Sequence, residues 1–168
     1  METTTIQDKK QQAGLNKGIT IEHIFNLPVS TVWKAFTNEE YFKKWWGPKG
    51  FTCPSSKLEP KVGGTYLNCM RGPDGKDFWS TGTVKEFIPE KKLVITDSFA
   101  DEKGNKIPAA EYGMPGEWPL ESLITVKMEE FNGATKLNLH HEGIPPEMHD
   151  ECIRGWSESL DKLEQNIK

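Results

Sequence analysis

The chain has 168 residues, of which 35% are hydrophobic and 27% charged, the size and composition of one globular domain with room for a sizeable core. A formal charge of −4 and a pI of about 5.6, with no basic stripe, argue against nucleic acid as the main partner. No apolar run is long enough to span a membrane, and three widely spaced cysteines (Cys53, Cys69 and Cys152) fit a reduced, cytoplasmic compartment better than a disulfide framework.

Residues 1–17 are polar and lack the apolar stretch of a secretory signal, so they read as a flexible tail ahead of a single domain over 18–168. The domain opens with ITIEHIFNL, where Ile19, Ile21, Phe25 and Leu27 alternate along one strand face that also carries His23. Pro28 then starts a helix, because the missing N–H costs little in a first turn. Val29, Val32, Trp33 and Phe36 form its apolar stripe. Thr37 and Glu40 have the spacing of a capping box for a second short helix carrying Phe42, Trp45 and Trp46, which Gly47-Pro48 ends. Consecutive helical residues point about 100° apart, so the two adjacent tryptophans must do different jobs. One is expected to plug the core and the other to line a pocket.

Strands and turns are expected from Phe51 to Gly143. Gly63-Gly64, Pro73-Asp74-Gly75 and Pro89 punctuate them, and Asn132-Gly133 is the strongest hairpin signal in the chain. Gly64 is expected in a conformation hostile to a side chain. Residues 101–120 form one long loop that still carries Tyr112, Met114 and Trp118, and long loops in small domains are often functional. After Pro145-Pro146, residues Met148, Cys152, Trp156, Leu160, Leu163 and Ile167 define a helix over about 147–167, long enough to lie across a sheet. Gly155 inside it suggests close approach of helix and sheet. The order of elements is α+β: one strand, two short helices, a run of antiparallel strands and a long helix.

Nucleophile motifs are absent: Gly155-Trp156-Ser157-Glu158-Ser159 lies within a helix and is not a strand-to-helix elbow. Gly63-Gly64 is no phosphate loop, since no Lys-Ser/Thr follows. His140, His141, His149 and Cys152 do not make a zinc site, because the adjacent histidines point to opposite faces of a strand. No metal or cofactor is expected. Trp33 and Trp156 read as core on their helical stripes. His23 and His141 read as buried, hydrogen-bonded histidines, with orientation of a polar ligand group as the functional option. Asp97 is the one carboxylate on an apolar strand face.

The motifs VWKAFT, WWGP, VGGTY, PDGK, the run from Gly82 to Phe99, HEG and the final GW with LDKLE occur in an order that resembles the SRPBCC proteins. Within them it is similar to the branch named after the activator of heat shock protein 90 ATPase. The resemblance covers about residues 19–167. It implies the helix-grip fold, also called Bet v 1-like or START-like: a curved seven-stranded antiparallel sheet around a long C-terminal helix, with two short helices after the first strand and an apolar cavity between. Relatives usually carry arginine where this chain has His23. The resemblance places the Trp45-Trp46 segment at the cavity mouth. His23, Asp97, His141 and Trp156 are candidate lining, with Phe51, Met70, Trp79 and Phe99 from the strand region and Tyr112, Met114 and Trp118 from the long loop as a second wall. It also implies an apolar small molecule as partner, a chaperone or other protein as the alternative, and thirdly a cavity enzyme of polyketide cyclase or hydrolase type.

Overall fold

A computed structural model describes residues 18–167; the polar stretch 1–17 lies outside the described residues. The chain forms β1 (Gly18–Phe25), α1 (Val29–Thr37), α2 (Glu39–Phe42), β2 (Thr52–Leu58), β3 (Thr65–Arg71), β4 (Asp77–Ile88), β5 (Lys92–Ala100), β6 (Ser122–Phe131), β7 (Ala134–Glu142) and α3 (His149–Asn166). Short 3-10 turns at Ala109–Tyr112 and Pro146–Met148 interrupt the long loop and lead into α3. All strand neighbours are antiparallel, in the order β1-β7-β6-β5-β4-β3-β2.

One face of this sheet is apolar because strand side chains alternate. Register places Ile21 beside Leu139, Leu139 beside Val126 and Val126 beside Leu93, so one row of this face runs unbroken across four strands. α3 closes it with Leu160, Leu163 and Ile167, all essentially inaccessible, and packs against β1. Eighteen residues give α3 a length of about 27 Å. Asn132 and Gly133 both take positive φ, 52° and 80°, the demand of a two-residue hairpin whose twist matches its strands.

Three local expectations are corrected. Asn38, not Thr37, caps α2: its Oδ1 accepts from the amides of Glu40 and Tyr41, while the Thr37 hydroxyl donates back to the Trp33 carbonyl within α1. The helix starts one residue later than the spacing predicts, so the side-chain oxygen of Asn38 is the one that reaches the orphan donors of its first turn. Trp45 and Trp46 follow α2 in a turn, held by bonds from their amides to the Phe42 carbonyl. Gly155 does not meet the sheet; a Cβ there would touch only Pro48, at 3.5 Å. That contact belongs to a clasp between α3 and the aromatic turn. The Lys162 ammonium donates to the carbonyls of Gly47, Pro48 and Phe51 at 3.0, 3.3 and 2.9 Å, and burial pulls its pKa below the usual lysine range.

Candidate functional site

The turn after α2 sorts its two tryptophans. Trp45 is fully buried, its indole N–H donating 2.9 Å to the Ala35 carbonyl and its ring set against Phe36 and Phe42. Trp46 is only partly covered. It stacks on Phe42 at 5.1 Å and meets Trp156 of α3 edge-on at 5.0 Å. Between these rings and the sheet lies a pocket with a cavity volume of about 50 Å³, room for a few waters or a small apolar group. Leu58, Leu93, Ile95, Ile124 and Val126 from β2, β5 and β6 make its aliphatic wall.

Its polar edge comes from β2, β3, β4 and β5. The Ser56 hydroxyl donates to the Asn68 side-chain oxygen at 2.7 Å, and Ser80 sits beside them in the register. Tyr66 donates to Asp97 Oδ1 at 2.6 Å, and burial together with the Asp97 charge pushes its phenol well above the usual tyrosine range. Asp97 is the only carboxylate or base among the lining residues.

Behind Asp97 lies His141, whose tautomer is fixed by its partners. An indole N–H can only donate, so Trp156 Nε1, 3.2 Å from His141 Nδ1, assigns that nitrogen as acceptor and the ring proton to Nε2. Nε2 reaches Ser122 Oγ at 3.3 Å, and the Ser122 hydroxyl passes its own proton to the Asp97 carbonyl at 3.3 Å. His141 Nε2 lies 3.5 Å from Asp97 Oδ2, close but committed elsewhere.

The sequence candidates scatter against this geometry. Trp45, Trp46, Asp97 and Trp156 line the pocket, and His141 stands one residue behind it through Trp156. Trp156, read from its stripe as plain core, is a half-covered pocket wall, because the aromatic turn meets α3 at that level. Trp79 falls on the other face of the sheet, in the register row of Cys69 and Ala100 and not in the pocket row of Asn68 and Ser80. His23 is not among the pocket residues; its ring is tilted against Phe25 at 4.3 Å and lies 3.9 Å from Glu164. The long loop does not form the second pocket wall. Tyr112 donates to the Ala100 carbonyl and accepts from the Trp79 amide, pinning the loop to the strand ends. There Phe51, Phe78, Tyr112, Phe99 and Trp118 make a second aromatic chain beside the pocket. Met70 lies beside Gly47 and Met114 packs on the main core. Sequence reading missed Phe36, Phe42, Leu58, Tyr66, Asn68 and the aliphatic wall. Alternation alone flags their face, but nothing local says which part of that face stays uncovered.

His140 and His149 are spoken for separately, by Thr20 Oγ1 and the Ile144 carbonyl, and no cluster of metal-ligating side chains occurs among the described residues. No helix among them is long and apolar enough to cross a membrane.

A curved seven-stranded antiparallel sheet gripping one long C-terminal helix, with an aromatic-walled pocket between, defines a helix-grip, Bet v 1-like protein. The family model for Activator of Hsp90 ATPase homolog 1-like protein matches residues 26–168, and the chain belongs to that family, a branch of the SRPBCC proteins. Solved structures agree in fold. A protein from Nitrosomonas europaea matches with a TM-score of 0.72 at 20% identity, covering 91% of this chain and 94% of that one. One from Chromobacterium violaceum gives 0.70 at 26% identity, covering 88% and 94%. A family protein from Silicibacter pomeroyi gives 0.70 at 21% identity, covering 88% and 94%. No curated protein matches the sequence.

Proposed function

We propose that this protein binds an apolar small molecule in the pocket between the aromatic turn and the sheet. One observation carries the reading. Large aromatic rings on two separate elements, Trp46 after α2 and Trp156 on α3, meet over an apolar space without being fully buried themselves. Core aromatics normally bury themselves in partners; these two face a gap edged by a few polar groups, the composition of a ligand site. Both are partly covered, so together they form the wall that parts to admit a molecule larger than the cavity's 50 Å³. The large exposed apolar residues favour this over a protein-docking role for the same surface. Ile24, Val62, Ile88, Leu120, Phe131 and Ile153 are spread over different elements. Three free thiols support a cytoplasmic setting.

Titration with toluene, followed through the indole N–H resonances, tests the proposal. Saturable shifts at Trp46 and Trp156, weakened by Trp46→Ala, are expected. Unmoved indole signals with toluene, benzyl alcohol and benzylamine alike would refute it.

A further inference from the structure

We infer that the pocket selects ligands by the charge of their head group: an apolar body ending in an ammonium is favoured, a neutral donor tolerated and a carboxylate rejected. The inference rests on the pocket reading above and names the ligand class it takes. Asp97 is the pocket's only carboxylate, a quarter exposed at its edge, and none of its lining residues is a base. The one group within salt-bridge distance of it, among the described residues, is His141. That imidazole is engaged in the chain described above, from the Trp156 N–H to Nδ1, from Nε2 to Ser122, and from the Ser122 hydroxyl to the Asp97 carbonyl. His141 is thus turned toward other partners, Trp156 at Nδ1 and Ser122 at Nε2. Oδ1 of Asp97 is occupied by the Tyr66 hydroxyl, whereas Oδ2 has only the 3.5 Å approach of a committed N–H.

The site thus presents one carboxylate oxygen with open acceptor capacity, with no lysine or arginine among the lining residues, in a pocket also lined by the rings of Trp46, Phe42 and Trp156. Ring faces carry negative potential and attract cations. Carboxylate and rings therefore call for the same ligand feature, a positively charged donor. A carboxylate ligand would meet like charge in an apolar setting that screens it poorly.

Four probes sharing one ring separate the terms: benzylamine, benzyl alcohol, toluene and benzoate. Affinities are measured by NMR titration of the wild-type chain, of Asp97→Asn, and of Glu129→Gln, which removes one charge from an exposed strand position. Benzylamine is expected to bind at least about tenfold more tightly than benzoate to the wild type and to Glu129→Gln, with benzyl alcohol between them. In Asp97→Asn, which keeps an oxygen for Tyr66, the gap should shrink to about threefold or less. Toluene binding without any head-group preference would overturn the selectivity and leave the pocket reading standing. A preference unchanged in Asp97→Asn, or equally reduced in Glu129→Gln, would overturn it too, by assigning the effect to the net charge of −4. Binding of none of the four would remove both.

Discussion

Trp45 and Trp46 are neighbours in the turn after α2, yet the first is enclosed in the core while the second is only partly covered beside the pocket. Trp45 is enclosed and its indole N–H is satisfied by Ala35, so truncation leaves both a cavity and an unpaired carbonyl. Trp45→Ala should cost about 3–5 kcal/mol. Trp156 is partly exposed at the pocket wall, and Trp156→Ala should cost less, although it removes a donor from His141. The helical stripe alone reads Trp156 as core. Chemical denaturation of the two variants checks it; equal losses would place Trp156 in the core. A second consequence at this scale concerns protons. Burial is the main reason the thiols of Cys53, Cys69 and Cys152 are each pushed up to about 11. Burial also raises Tyr66, with the Asp97 charge adding to it. Unfolded thiols ionise near pH 8.5 and unfolded tyrosine near pH 10, so in alkali the unfolded chain loses these protons first. Stability from these groups is therefore complete below about pH 8.5 and falls as pH rises toward about 11. Denaturation midpoints that stay flat across that range would contradict the burial of the thiols. Iodoacetamide at about pH 8 should likewise label the native protein far more slowly than the denatured one.

At the scale of elements, the β2–β3 connection shows two glycines with different duties. Gly63 has a φ of 85° and open space around it, so its requirement is backbone conformation. Gly64 has no such φ, but a Cβ there would lie 2.2 Å from the Glu59 carbonyl oxygen and 2.9 Å from that of Lys61. Its amide and carbonyl also bond to Lys61 and Val84, so the turn has no slack. Gly64→Val should destabilise by well over 1 kcal/mol, roughly the lower bound for a backbone conflict of this kind. Gly155→Ala, which meets only Pro48 at an ordinary contact distance, should be neutral or stabilising by up to about 1 kcal/mol because it sits in a helix. Thermal melts of the pair test both, and a stable Gly64→Val would show that the Glu59 turn can move. The same level explains why α3 and the aromatic turn act together. Lys162 spends its three donors on three carbonyls of that turn, fixing where Trp46 meets Trp156.

For the whole molecule, the decisive contacts join distant parts of the chain. Gly18 pairs with Glu142, joining the first strand in the chain to the last, and α3 packs back on β1. Ordering such loops costs entropy before any contact rewards it, so refolding should take milliseconds to seconds and not microseconds. Stopped-flow tryptophan fluorescence would read this directly. A microsecond phase accounting for the full amplitude would mean that the helices and local turns alone set the native environment of the six tryptophans.

Much of the architecture is written locally. Alternation in ITIEHIF, the stripe from Met148 to Ile167, Asn132-Gly133 and the motif order specify strand, helix, hairpin and family, because periods of 2 and 3.6 and a positive φ are properties of neighbouring residues. The roles of individual tryptophans are not local properties. That one of the Trp45-Trp46 pair is core and the other wall follows from their adjacency; which is which depends on where α2 ends and where α3 crosses. Trp79 and Phe99 look equally suited to a cavity, yet register sets Trp79 on the outer face and Phe99 on the inner one. Tyr66, thirty-one residues from Asp97, becomes its partner only when β3, β4 and β5 stand side by side. Sequence by itself determined the faces. Tertiary structure decided which stretch of the inner face was left uncovered, because that depends on the relative placement of a sheet, a helix and a turn that no short stretch of chain encodes.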